Sequence, residues 1–179
     1  MLTLLRHLVA IAVLPYLVAV QIPIWISRRN AIVFSIGSSR AGLALQAAGA
    51  AALVVGLALF TASLRRFASE GEGTLAPWDP PRRLVVRGPY RFVRNPMISG
   101  VVFVLAGEAL VLRSAPHAEW AAAFFVLNLI YIPLLEEPML EARFGDSYRD
   151  YRRHVPRFWP RLSPWTPEPA APSSASERE

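Results

Sequence analysis

Cysteine and lysine are both absent from this 179-residue chain, and histidine occurs only three times. Without cysteine there is no disulfide, no thiolate metal site and no cysteine nucleophile. Without lysine, Schiff-base chemistry and the lysine of a phosphate-binding loop are excluded. His7, His117 and His154 are too scattered to form a metal-binding spacing. Charge is sparse as well: 18% of residues are charged and 54% are hydrophobic, which is too apolar for an ordinary soluble domain of this length.

What is present is arginine and long apolar runs. All nineteen basic residues are arginine, and the formal net charge is +6. A basic chain can bind nucleic acid, but these arginines flank apolar segments. They read as membrane topology signals, and no nucleic-acid partner is expected. Apolar stretches occupy 8–26, 41–64, 96–112 and 118–135. A spanning helix takes about 20 apolar residues, so the pattern predicts an all-α polytopic membrane helix bundle with about four transmembrane helices. Arg6 precedes the first stretch, as in a signal peptide. That run is long, however, contains Pro15 and Pro23, and ends at Ser27-Arg28-Arg29-Asn30, a poor cleavage site.

Arginine placement sets the expected orientation. Seven arginines fall within 65–94 and six within 143–161, against Arg28, Arg29, Arg40 and Arg113 on the opposite connections. The positive-inside rule then places both termini, the middle loop and the C-terminal segment in the cytoplasm. High arginine and alanine usage without lysine points to a GC-rich bacterial genome, and hence to a bacterial inner membrane. The expected division is an N-terminal transmembrane hairpin (1–64), a catalytic region (65–166) and a disordered tail (167–179).

Within the middle loop, 70–74 reads as flexible, 76–81 as stiff and turn-rich, and 84–86 as a short extended run too isolated to build a sheet. The stretch 139–155 reads as an interfacial amphipathic helix interrupted near Gly145. Leu140, Phe144, Tyr148, Tyr151 and Val155 share its apolar face. Phe158, Trp159 and Trp165 read as an aromatic belt.

Two polar clusters carry the chemistry. Asn95-Pro96 is a helix start, with Asn as the cap and Pro at the first helical position; its free N–H groups attract an anion. Glu136 and Glu137 end the fourth stretch. Pro138 disfavours helical geometry at Glu137, so a chain break is expected there. The short connection 113–117 makes the third and fourth spans antiparallel neighbours, which brings Asn95 and Glu137 to one end. Arg143 is within reach of the same pocket, as an acceptor-positioning group or a lipid phosphate ligand. Glu108, inside the third span, is a catalytic candidate by its location, with Asn128 as a possible hydrogen-bond partner.

At these residues the chain resembles the isoprenylcysteine carboxyl methyltransferases and the related phospholipid N-methyltransferases. The resemblance covers 84–160 and rests on Gly88-x-Tyr90, Arg94-Asn95-Pro96, Glu136-Glu137-x-x-Leu140, Phe144-Gly145-x-x-Tyr148-x-x-Tyr151 and Val155-Pro156-Arg157. It implies an S-adenosylmethionine-dependent membrane methyltransferase with a lipid or lipophilic small-molecule acceptor entering laterally. It also implies that Tyr90, Arg94, Asn95, Pro96, Met97 and Ile98 contact the cofactor, that Glu136 and Glu137 hold its polar end, and that Arg143 is functional. The family often carries His at position 95 and Tyr at position 98, so this chain departs from it at both. The alternatives weighed are an NADPH-dependent reductase of the sterol-reductase type and a non-enzymatic lipid-binding protein.

Overall fold

The computed structural model describes residues 12–71 and 82–166, and among these every regular element is helical. Expectations for the start of the first apolar stretch, for 72–81 and for the 167–179 tail lie outside the described residues. The elements are α1 (Ala12–Gln21, π-wound), α2 (Ile22–Arg29), α3 (Arg40–Glu70), α4 (Pro96–Leu112), α5 (Ala115–Tyr131), α6 (Glu137–Phe144) and α7 (Asp146–His154). A 3-10 turn at Gly88–Arg91 leads into α4, and a π-wound segment, Ile132–Glu136, joins α5 to α6.

The runs Arg40–Glu70 (31 residues) and Ala115–Phe144 (30 residues) are long and apolar enough to cross a bilayer, and most of their apolar surface faces outward. The third apolar stretch became α4, with the bounds that the sequence pattern drew. The second extends further than expected, through Arg65 and Arg66 to Glu70.

α3 and α4 touch backbone to backbone through paired glycines. A Cβ on Gly56 would sit 2.7 Å from the Gly100 carbonyl oxygen, and one on Gly107 would sit 2.8 Å from that of Gly49. The spacing of seven in each helix keeps these glycines on one stripe, so the two axes approach closely along the contact. α4 turns into α5 through only two residues. Arg113 adopts a left-handed conformation (φ 50°), and Ser114 caps α5. Arg113 donates to the Ser35 hydroxyl (2.8 Å), and Gln46 donates to the Val111 carbonyl (3.1 Å). These bonds tie the α2–α3 connection to the α4–α5 turn at one end of the bundle. The first segment is fastened to α5 by Trp120, which donates to the Val18 carbonyl (3.0 Å).

The chain break expected at Glu137 is not there. Glu137 is helical (φ −62°, ψ −43°), and the helix runs on past Pro138. The wider π turn holds Pro133, and Pro138 stands in the first turn of the α-helical segment that follows, so the pre-proline preference is overridden without ending the helix. The break comes instead at Gly145 (φ 55°, ψ −127°), as the sequence indicated. The apolar face of α6–α7 is turned inward. Tyr148, Tyr151 and Val155 form a buried cluster with Leu84, Val86, Leu140, Phe144 and Trp165. Of the aromatic belt, Phe158 packs edge-on against Phe125 and Trp165 stacks on His154; Trp159 remains 83% exposed.

Candidate functional site

The N-terminus of α4 and the far end of the α5–α6 run open onto one cavity of about 510 Å³. Tyr90, Arg94, Asn95, Pro96, Met97, Ile98, Glu136 and Arg143, eight of the ten site residues the sequence proposed, line it. Antiparallel packing of α4 and α5 produces this meeting. The turn at 113–114 closes one end of the hairpin and leaves the other end for the two polar clusters.

The cavity has two kinds of wall. Arg83, Tyr90, Arg94, Asn95, Glu136, Arg143 and Tyr148 line one end. Leu14, Val18, Phe60, Val101, Phe124 and Leu127 line the other. A core cluster of Val101, Leu105 and Ala121, with Val18, Phe60 and Phe124 packed on it, closes the apolar end.

The Asn95 side chain does not cap α4. Asn95 stands at the cap position with φ −118° and ψ 59°, but it makes no side-chain hydrogen bond to the first turn. Among the described residues the backbone N–H groups at the start of α4 therefore have no side-chain acceptor, while Met97 and Ile98 border the cavity. That is a donor set for an anionic group.

The two adjacent carboxylates have different surroundings. Both lie past Leu135, the last residue of the apolar run. Glu137 is turned away from the cavity. Arg94 donates to its Oε1 at 2.8 Å, and Arg157 grips both oxygens, at 2.7 and 2.8 Å. Burial pushes the Glu137 carboxyl up, but the hydrogen bond from Arg157 and the charges of Arg94 and Arg157 outweigh it and hold the group below its ordinary value. Glu136 faces the cavity. Burial, reinforced by the Glu137 charge, pushes its carboxyl up to about 7. Burial also pushes Tyr148 up to about 12 and raises Tyr90 and Tyr151, so these phenols stay neutral at physiological pH.

The C-terminal segment straps the site shut. Backbone bonds run from Arg94 N to the Pro156 carbonyl (2.9 Å), from Arg161 N to Phe92 (2.9 Å) and from Trp165 N to Arg91 (3.0 Å). The Tyr151 hydroxyl donates to the Tyr90 carbonyl at 2.7 Å. Arg157 was not among the candidate site residues. It lies twenty residues from Glu137, and no local spacing announces the pair.

Glu108 does not join this group. It borders a separate recess with Ser27, Arg28 and His117, and one of its oxygens is buried without a hydrogen-bond partner among the described residues. Asn128 is not its partner. The Asn128 amide donates to the Phe124 carbonyl one turn back (2.8 Å), and the residue lines the main cavity.

Comparison with known proteins bears on the family of the chain. Methanethiol S-methyltransferase 2 of Bradyrhizobium diazoefficiens is 41% identical over 73 residues, covering 41% of this chain and 27% of that protein. Methanethiol S-methyltransferase of Mycobacterium tuberculosis is 38% identical over 76 residues, covering 42% of this chain and 28% of that protein. The matched stretch thus spans little more than a quarter of these curated relatives. No solved structure matches the chain. The family model described as Phospholipid methyltransferase matches residues 45–147, which include α4, α5 and both adjacent carboxylates. That is more than half of the sequence, and the chain belongs to the phospholipid methyltransferase family.

Proposed function

We propose that the protein is an integral membrane methyltransferase that uses S-adenosylmethionine to methylate a small, lipophilic acceptor, with a neutral thiol as the leading class. The observation that carries this reading is the single cavity shared by the uncapped start of α4 and the Glu136 carboxylate. The donor set fits the cofactor. The N–H groups of Met97 and Ile98 suit its carboxylate, Glu136 suits its ammonium group or its ribose hydroxyls, and Tyr90 and Tyr148 offer aromatic faces. When bound, the cofactor supplies an electrophilic methyl group on a cationic sulfonium.

The residues of the chain orient and desolvate. Arg94 borders the cavity while it is held by Glu137. Glu137 and Arg157 therefore position the cofactor-binding wall and do not touch the ligand. Arg143 lines the polar end of the cavity, where its charge suits the anionic end of the cofactor. Alignment and exclusion of water are the main demands of in-line methyl transfer. The thiol class follows from the apolar end of the cavity and from the names of the two relatives.

We place four spans in a bacterial cytoplasmic membrane. The 65–94 loop, both termini and the 143–166 segment are then cytoplasmic, and the α2–α3 connection and the 113–114 turn are outside. The division into a 1–64 hairpin, a 65–166 catalytic region and a 167–179 tail follows that arrangement. The test is calorimetry of S-adenosylmethionine with the detergent-solubilised protein, followed by methyl transfer from labelled cofactor to a small thiol or to phosphatidylethanolamine. Cofactor binding that is lost in Glu136→Ala, with label on the thiol, is expected. Heat with NADPH and none with S-adenosylmethionine would overturn the reading in favour of a reductase.

A further inference from the structure

The geometry points to Asn128 as the residue that selects and orients the methyl acceptor, through a hydrogen bond from the acceptor's own X–H group to Asn128 Oδ1. This inference rests on the methyltransferase reading above and adds to it a specificity-determining residue in the apolar half of the cavity. Asn128 is 7% exposed and lines the cavity. Its Nδ2 donates to the Phe124 carbonyl at 2.8 Å. Because a carbonyl can only accept, that contact fixes which end of the amide is nitrogen. Oδ1 is left with no donor among the described residues.

The position of Asn128 gives this oxygen its meaning. Eight residues separate Asn128 from Glu136, roughly 12 Å along the helix at about 1.5 Å per residue. Beside Asn128 on its own helix, Phe124, Leu127 and Tyr131 line the cavity, and Val18, Phe60 and Val101 line it from other elements. The charged lining residues stand at the other end. A charged acceptor would lose its hydration in the apolar half without a counter-ion, whereas a neutral molecule with one donor hydrogen would satisfy Oδ1 and nothing else. The site therefore favours a neutral thiol or hydroxyl acceptor over a carboxylate. For a thiol, the sulfur forms the new bond to the methyl carbon. The carbon–sulfonium bond breaks with its electron pair going to the departing sulfur, and the thiol proton passes to solvent at the polar end of the cavity. The amide oxygen is too weak a base to keep that proton. It positions the sulfur lone pair through the S–H contact.

The experiment compares two isomers with the full-length protein in nanodiscs: 1-propanethiol as substrate, and ethyl methyl sulfide as a competitor that lacks the S–H. Asn128→Leu keeps the branching at Cγ and removes the accepting oxygen, together with the amide that bonds the Phe124 carbonyl. The expected result is a KM for 1-propanethiol raised about five- to tenfold, the scale of one lost hydrogen bond. The inhibition constant of ethyl methyl sulfide and the calorimetric affinity for S-adenosylmethionine should stay within about twofold, since neither uses Oδ1. Saturation-transfer NMR with S-adenosylhomocysteine bound should show the same selective loss of thiol binding without turnover. Equal shifts for thiol and sulfide, or no shift for the thiol, would overturn the role of Asn128 while leaving the methyltransferase reading intact. A wild-type protein that binds no S-adenosylmethionine would overturn both.

Discussion

The adjacent carboxylates Glu136 and Glu137 should fail in different ways when each is replaced by alanine. The Glu137 side chain is 6% exposed and Arg94 is 9% exposed, while Arg157 closes the cluster from a more open position at 31%. Removing Glu137 leaves one buried guanidinium and one partly buried guanidinium with no counter-charge. Breaking a buried pair in this way costs about 3–5 kcal/mol, and the exposure of Arg157 argues for the low end, about 3. At about 2–4 °C per kcal/mol for a chain of this size, Glu137→Ala should melt roughly 6–12 °C lower. The strap formed by Pro156 and Arg157 should loosen with it. Glu136→Ala removes a carboxylate that faces the cavity, so its melting temperature should stay near or above that of the wild type. Its cofactor affinity should fall at least about tenfold, as for loss of a charge-assisted hydrogen bond. The assay is thermal unfolding in detergent by intrinsic fluorescence, paired with S-adenosylmethionine calorimetry well below the melting range. The reasoning is refuted if Glu137→Ala melts with the wild type yet binds no cofactor while Glu136→Ala binds normally.

Three further outcomes are expected. Because the Glu136 carboxyl titrates near 7 and a cationic ligand favours its ionised form, cofactor affinity should rise about tenfold between pH 6 and pH 8, and Glu136→Gln should flatten that profile. Glu137 has the opposite shift: its stabilisation is present above the ordinary carboxylate range and is lost only as pH falls through its lowered folded value, so it adds no slope in that window. Gly56→Ala drives a methyl to 2.7 Å from the Gly100 carbonyl and should destabilise by about 1–3 kcal/mol in a denaturant titration, as overpacking does. The natural absence of cysteine allows single-cysteine mapping. Ser35→Cys should react with an impermeant maleimide on intact cells and Ser163→Cys only after permeabilisation; the reverse pattern would overturn the orientation.

The parts of the site that could be read from the sequence are those set by short-range rules and one topological fact. Pro96 at a helix start and a short 113–117 connection follow from local chemistry, and together they bring Asn95 and the Glu136–Glu137 pair to the same end. The division of labour between Glu136 and Glu137 was not legible. Neighbours on a helix point about 100° apart, and which one met Arg94 and Arg157 depended on a π segment that resets the helical phase at 132–136. The pre-proline rule, applied alone, predicted a break at Glu137. The π segment around Pro133 shifts the phase of the helix that follows, where Glu137 meets the arginine pair. The same long-range dependence hid Asn128. In the sequence it reads as a partner for Glu108, but Asn128 lines the main cavity while Glu108 borders a separate recess. The seven-residue glycine spacings in α3 and α4 were present in the sequence and went unread as a contact, although they fix how closely α3 and α4 approach. Phe60, which lines the cavity and follows Gly56 by one helical turn, is placed by that contact. The wall facing the acceptor therefore depends on two hydrogen-sized side chains, and widening that contact should alter acceptor preference before it alters cofactor affinity.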